Sequence, residues 1–149
     1  MYETVLLPVA PEGGTMRAIP HVATLADRYD ATVHVISVVD SVEEMINDPR
    51  VEMLADRLQT TAHDRVHEVS EALLDINADL EIVTHVERGT AHGAILSMID
   101  EVDADVVVMP THTRQGLERV LLGSITERVI RESPVPVVSI PMEEDAPGD

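Results

Sequence analysis

Residues 105–124 read Asp-Val-Val-Val-Met-Pro-Thr-His-Thr-Arg-Gln-Gly-Leu-Glu-Arg-Val-Leu-Leu-Gly-Ser, and the fold turns on how this stretch divides. Val106 to Met109 is an unbroken apolar run between Asp105 and Pro110. Such a run predicts a strand buried on both faces, as in a parallel sheet. Thr111 to Gln115 reads as a polar loop, and Gly123-Ser124 opens an amphipathic helix that runs to Glu132. A strand, a polar loop and a helix N-terminus with free backbone N–H groups form a candidate anion pocket.

Outward from this stretch the same alternation recurs. Upstream, strands are predicted at Thr4 to Val9, Ala31 to Val39 and Leu80 to Val86, the last with the apolar–polar alternation of an edge strand. Pro136 to Ile140 is the fifth strand. Between them lie helices from a Thr15 cap to about Tyr29, from Val51 to about Leu74, and from Ala91 to about Val102. Pro20 either kinks the first helix or lies in its first turn. The inner face of the long helix is assigned to Met53, Leu54, Leu58, Ala62, Val66, Val69 and Leu73. Residues 40–50 form a polar connection whose first part is expected to be a short helix, and Glu143 to Asp149 an acidic tail expected to be disordered. The chain is thus one domain over residues 1–142 with a tail over 143–149. The fold class is α/β, doubly wound, with a five-stranded parallel sheet and helices on both faces. Ligands in such sheets sit beyond the carboxyl ends of the strands, which marks the segments after Val9, Val39, Val86 and Met109.

Composition narrows the chemistry. The 149 residues contain no Cys, Phe or Trp, so thiol chemistry and disulfides are excluded and Val, Ile, Leu, Ala and Met build the core. Net charge is −18, with 28 acidic residues against ten arginines and no lysine. That field repels nucleic acid and anionic membranes, so neither is an expected partner. Acidic, lysine-free surface resembles that of proteins from salt-in halophiles, where a Debye length of roughly 3 Å at 1 M salt screens self-repulsion. No basic leader and no apolar run of roughly 18 residues is present, which predicts a cytoplasmic location.

Asp-Ala-Asp-Val-Val-Val-Met-Pro-Thr-His-Thr, the Leu-Leu-Gly-Ser-Ile-Thr-Glu-Arg-Val-Ile run and Ser-Pro-Val-Pro-Val-Val-Ser-Ile together resemble the universal stress protein family. Val-Leu-Leu-Pro-Val near the start, His-Val-Ile-Ser-Val-Val-Asp and Glu-Arg-Gly extend the resemblance over nearly the whole chain. The resemblance implies strand order 3-2-1-4-5 and a homodimer through the last strand, Val135 to Ile140. It also implies an adenine nucleotide such as ATP or AMP, with Mg²⁺ only as the nucleotide's companion. Nucleotide-binding members carry Gly, two residues, Gly, nine residues, then Gly followed by Ser or Thr. Here those positions are Pro110, Thr113, Gly123 and Ser124, so only the last pair matches. The Asp that such members place after the first strand is Ala10, while Val38 is kept where backbone contacts adenine. The implied site comprises Pro8, Val9 and Ala10, Val38, Met109, Thr111, Thr113 and Arg114, and Gly123, Ser124 and Ile125. His112 and Arg114 would add positive charge.

Two readings stay open. One is a non-enzymatic stress-response regulator that binds an adenine nucleotide through an altered glycine motif. The other is a nucleotide-free dimeric module that docks partner proteins, none of which the sequence identifies. Hydrolysis ranks below both because no general base is placed. His63 and His67, at i and i+4 with Asp64 between, read as a solvated helix face and not a zinc site. His34 and His85 read as packed or hydrogen-bonded strand residues. Gly-x-Ser-x-Gly and Walker patterns are absent.

Overall fold

The computed structural model describes residues 1–10, 17–39, 49–113 and 123–143. These form five strands and four helices in strict alternation: β1 (Thr4–Pro8), α1 (Ala18–Tyr29), β2 (Thr32–Val39), α2 (Pro49–Ile76), β3 (Glu81–Arg88), α3 (Ala91–Glu101), β4 (Val106–Thr113), α4 (Ser124–Glu132) and β5 (Val137–Glu143). All strand pairs are parallel, in the order β3-β2-β1-β4-β5. Class and strand order are as the sequence predicts.

Successive side chains of a strand point to opposite faces, and the two cores follow that period. Val5, Leu7 and Val9 of β1, Val33 and Val35 of β2, and Val106 and Val108 of β4 pack against α1 and α2. Leu6, Ile36, Val107 and Met109 pack on the other face against Ile95, Met98 and Ile99 of α3 and Val129 of α4. Ala18, Ala23 and Ala26 let α1 lie close to a sheet surface made of branched side chains. At the amino edge, Asp105 ties β4 to β1: its Oδ2 accepts the backbone N–H of Glu3 at 2.8 Å and of Thr4 at 3.0 Å.

Several expectations are corrected. Helix α1 begins at Ala18 with Arg17 at the cap, which puts Pro20 in the first turn, where a missing N–H costs nothing. The expected Thr15 cap and the expected short helix after Asp40 lie outside the described residues. Helix α2 starts two residues early, with Pro49 as its first residue, and ends at Ile76. Its buried stripe is Ala55, Ala62, Val66, Val69 and Leu73, whereas Met53 is 61% and Leu54 49% exposed. Ala55 takes the inward position of that turn, which leaves Met53 and Leu54 on its flank. Strand β3 is an edge as predicted, with Ile82 and Val86 facing the α1/α2 core and Glu81 and Glu87 exposed.

The largest correction falls on the stretch that decides the fold. β4 does not stop at Met109; it continues through Thr113, paired with β5 from Val107–Val137 to Thr113–Glu143. Thr111 to Thr113 are therefore strand and not loop. Proline is tolerated there for a reason of register. The N–H of Val107 donates to the Pro136 carbonyl of β5 at 3.0 Å, and strand N–H groups alternate sides. Position 110 therefore faces away from β5, toward β1, whose pairing with β4 ends at Leu6–Val107. No ladder bond is lost. β5 likewise runs past Ile140 to Glu143, with Pro141 on an edge strand. Glu143, expected to begin the tail, instead closes that strand; residues 144–149 lie outside the described residues.

Candidate functional site at the carboxyl ends of the strands

β1 and β4 are neighbours at the point where strand order reverses, and only Val5–Val106 and Leu6–Val107 pair. Beyond them β1 ends at Pro8 while β4 runs on beside β5. The place where a doubly wound sheet opens for a ligand is thus present.

The β1 side is apolar. Pro8 is buried, Val9 belongs to the α1/α2 core, and the Val9 N–H donates to the Ile36 carbonyl at 2.8 Å. Ala10 is exposed and brings no polar side chain. The bond to Ile36 also fixes the orientation of Val38. Carbonyls two residues apart on a strand face the same side, so Val38 presents its N–H and C=O toward β1 just past the last paired residue, Pro8. Its half-buried side chain meanwhile packs on the α3/α4 core. Backbone donor and acceptor at a strand end, with an apolar floor, suit the edge of a planar heterocycle.

On β4 the predicted residues divide. Met109 is 4% exposed and belongs to the α3/α4 core. Thr111 is buried, and its hydroxyl donates to the Ile140 carbonyl at 3.3 Å, which commits it to the β4–β5 pair. Thr113 is the last strand residue, opposite Glu143. Arg114 lies outside the described residues.

The start of α4 is open. Gly123 is the cap, at φ −66° and ψ 161°, with no side-chain cap bond; its carbonyl accepts the Glu127 N–H at 3.0 Å. Ser124 is the first helical residue, so it is not itself the cap. Both are exposed, and Ile125 is half-exposed. A φ of −66° suits any residue, and a Cβ added at Gly123 meets no described atom within 4 Å. Among the described residues, neither backbone strain nor close packing explains this glycine. Among the described residues nothing caps the first N–H donors, which lie at the positive end of a helix dipole. Behind them Thr126 and Val129 anchor the helix in the core.

A feature no sequence pattern announced joins α3 and α4. Arg128 donates from Nη1 to His92 Nε2 at 2.9 Å. Arginine only donates, so Nε2 is the acceptor and the His92 proton sits on Nδ1. Among the described residues no three His, Asp or Glu side chains gather to hold a metal ion. His63 is exposed, and His67 faces Glu71 at 3.1 Å on the outer side of α2. Among the described residues no helix is long and apolar enough to cross a membrane.

Residues 1–141 match the family described as the universal stress protein family. The chain belongs to the universal stress protein family. A universal stress protein of Methanocaldococcus jannaschii, MJ0531, is 30% identical over 143 residues, covering 94% of this chain and 82% of that protein. The solved structure of MJ0577, a universal stress protein of the same archaeon, is similar with a TM-score of 0.72 at 25% identity, covering 95% of this chain and 97% of that one. A universal stress protein solved in complex with cAMP shares the fold at a TM-score of 0.59 and 22% identity, covering 93% and 96%. Against this family background, the carboxyl-end opening and the bare α4 cap stand in a universal stress protein whose two upstream glycine positions hold Pro110 and Thr113.

Proposed function

We propose that this universal stress protein binds an adenine nucleotide at the carboxyl edge of β1 and β4 and acts as a nucleotide-responsive regulator, not as a catalyst. In this reading the adenine edge meets the backbone of Val38, the ribose lies near Ala10, and the phosphates meet the N–H groups that follow Gly123 and the Ser124 hydroxyl. Mg²⁺ enters only on the phosphates. The observation that carries the reading is Gly123: a cap glycine that neither its φ nor its surroundings require. The solved relative that binds cAMP supports the choice of an adenine nucleotide. The free edge of β5, with Val138 and Ile130 each 42% exposed, supports a homodimer through the last strand.

Isothermal titration with ATP, ADP, AMP and cAMP in molar salt tests the proposal. Saturable heat with at least one nucleotide is expected, and no heat with any of them overturns it. The competing reading, a nucleotide-free docking module, draws on a specific observation. Thr111 to Thr113 are built into a β4–β5 ladder where relatives place their flexible glycines, and the Thr111 hydroxyl is internally bonded.

A further inference from the structure

His34 and His85 lie on adjacent strands, away from the nucleotide opening. Val33 and Val35 face the α1/α2 core, so His34 between them faces the other side. Ile82 and Val86 likewise face the α1/α2 core, which places Glu81, Val83 and His85 on the same face as His34. In the parallel register His34 is opposite Val83 and Ile36 is opposite His85, so the two rings meet diagonally across the β2–β3 pair. His34 Nδ1 and His85 Nε2 are 2.9 Å apart, with ring centroids 5.1 Å apart and an interplanar angle of 18°. A nitrogen–nitrogen distance of 2.9 Å is shorter than stacked faces allow, roughly 3.5 Å. The rings therefore meet edge to edge, nearly coplanar, with one N–H pointing at one lone pair.

We propose that the His34–His85 contact is a proton-gated clasp: it pins the edge strand β3 to β2 while the pair carries at most one positive charge, and a second proton opens it. Proton counting gives the gate. Two neutral imidazoles bear one N–H each, and the clasp needs one proton between the facing nitrogens. A first extra proton goes to the outward nitrogen of the donating ring, and the N–H···N bond survives. The next can only go to the accepting nitrogen, which sets N–H against N–H at 2.9 Å and two charges on neighbouring rings. Opening therefore takes up one proton from the singly charged pair and two from the neutral pair. The facing nitrogens, 2.9 Å apart, are too close for a metal ion between them, because each metal–imidazole bond needs about 2.0–2.1 Å.

The surroundings favour the neutral pair. Burial first, and His85 second, lower the pKa of His34 below 6.5, while Glu81 opposes them. Glu87 lies further along the same face of β3, opposite Val38, and is exposed. β1 brings Thr4 and Leu6 to this face, without charge. Helix α3, packed on β2, carries Asp100 and Glu101, both exposed, in its last turn, and its His92 is engaged with Arg128. Among the described residues no helix seals β3 on this face: Val83 is 38% exposed, which gives protons access to the clasp.

Native-state amide exchange on the full chain in molar salt, corrected for intrinsic rates, tests the clasp. Protection of β3 amides is expected to fall as pH drops below 6.5, by up to about tenfold per pH unit for each proton taken up on opening. Amides of β1 and β4 serve as the internal reference. His85→Gln and His34→Gln are each expected to flatten the β3 dependence. Imidazole nitrogen spectra of the unmutated protein give a second readout, in which the pair titrates in two separated steps. Two independent single-step titrations near 6.5, or β3 protection that tracks β1 and β4 across this range, would overturn the proposal. Neither result bears on nucleotide binding.

Discussion

Replacing Gly123 with Asp separates helix capping from phosphate binding. Asp is among the best cap residues, and its carboxylate can accept the N–H of Ile125 or Thr126, so α4 should gain a few tenths of a kcal/mol. The added atoms meet no described atom within 4 Å and the φ of −66° is ordinary, so the described fold has no reason to suffer. Binding should suffer for the same reason that folding does not. The carboxylate takes donors the phosphate would use, and a charge-assisted hydrogen bond is worth about 1.5–3 kcal/mol. It also sets like charges together, at about 1 kcal/mol per unit pair at 4 Å in water. In molar salt the second contribution is largely screened. Donor competition alone then predicts a loss of roughly tenfold to a hundredfold in affinity, growing as salt is lowered. Titration calorimetry reads the affinity and thermal unfolding reads the helix. If the variant unfolds normally and binds nucleotide as tightly as the parent, α4 does not hold the phosphates.

Four further outcomes follow from the same structure. Asp105→Ala removes the acceptor for the N–H groups of Glu3 and Thr4 at the start of β1 and should cost about 2 kcal/mol in denaturant unfolding, with Asp105→Asn recovering part of it. Ser37 is fully buried and its hydroxyl has no partner among the described residues, so Ser37→Ala should stabilise by about 1 kcal/mol; a lower melting temperature would contradict this. Because the pKa of His34 is lowered by folding, the unfolded chain binds more protons below 6.5. The stability contributed by neutral His34 is complete above that value and is lost as pH falls toward the lowered one. Subtracting the pH profile of His34→Gln from that of the parent should isolate this slope, and identical profiles would refute it. If the proposed homodimer forms through β5, Val138→Asp, which places a charge on the exposed edge strand, should yield a monomer in sedimentation velocity without unfolding it.

Local pattern decides what each segment is, and packing decides where it ends. Val106 to Met109 reads as a buried strand from four consecutive apolar residues, and it is one. The same rule ends the strand at Pro110, because proline breaks a ladder. β4 continues because the ladder on that side of residue 110 has no partner to lose, a fact of register between three strands. Met53 and Leu54 fail similarly: both fit a broad apolar stripe, but only contact with the sheet selects Ala55 as the inward residue. The histidine pair was readable as two strand residues, and the diagonal offset that joins them depends on how β2 and β3 align.

The sequence by itself determined the alternation of strands and helices, the parallel sheet, the family and the position of the α4 start. The elements rest on periodicity and on glycine and proline chemistry, which act over a few residues, and the family rests on the resemblance of its motifs. Tertiary structure alone decided that Thr111 is spent inside the sheet, that Val38 turns its backbone toward the end of β1, and that no described neighbour crowds Gly123. Each depends on which groups distant segments bring within hydrogen-bonding reach, and that distance is set by packing, not by spacing along the chain.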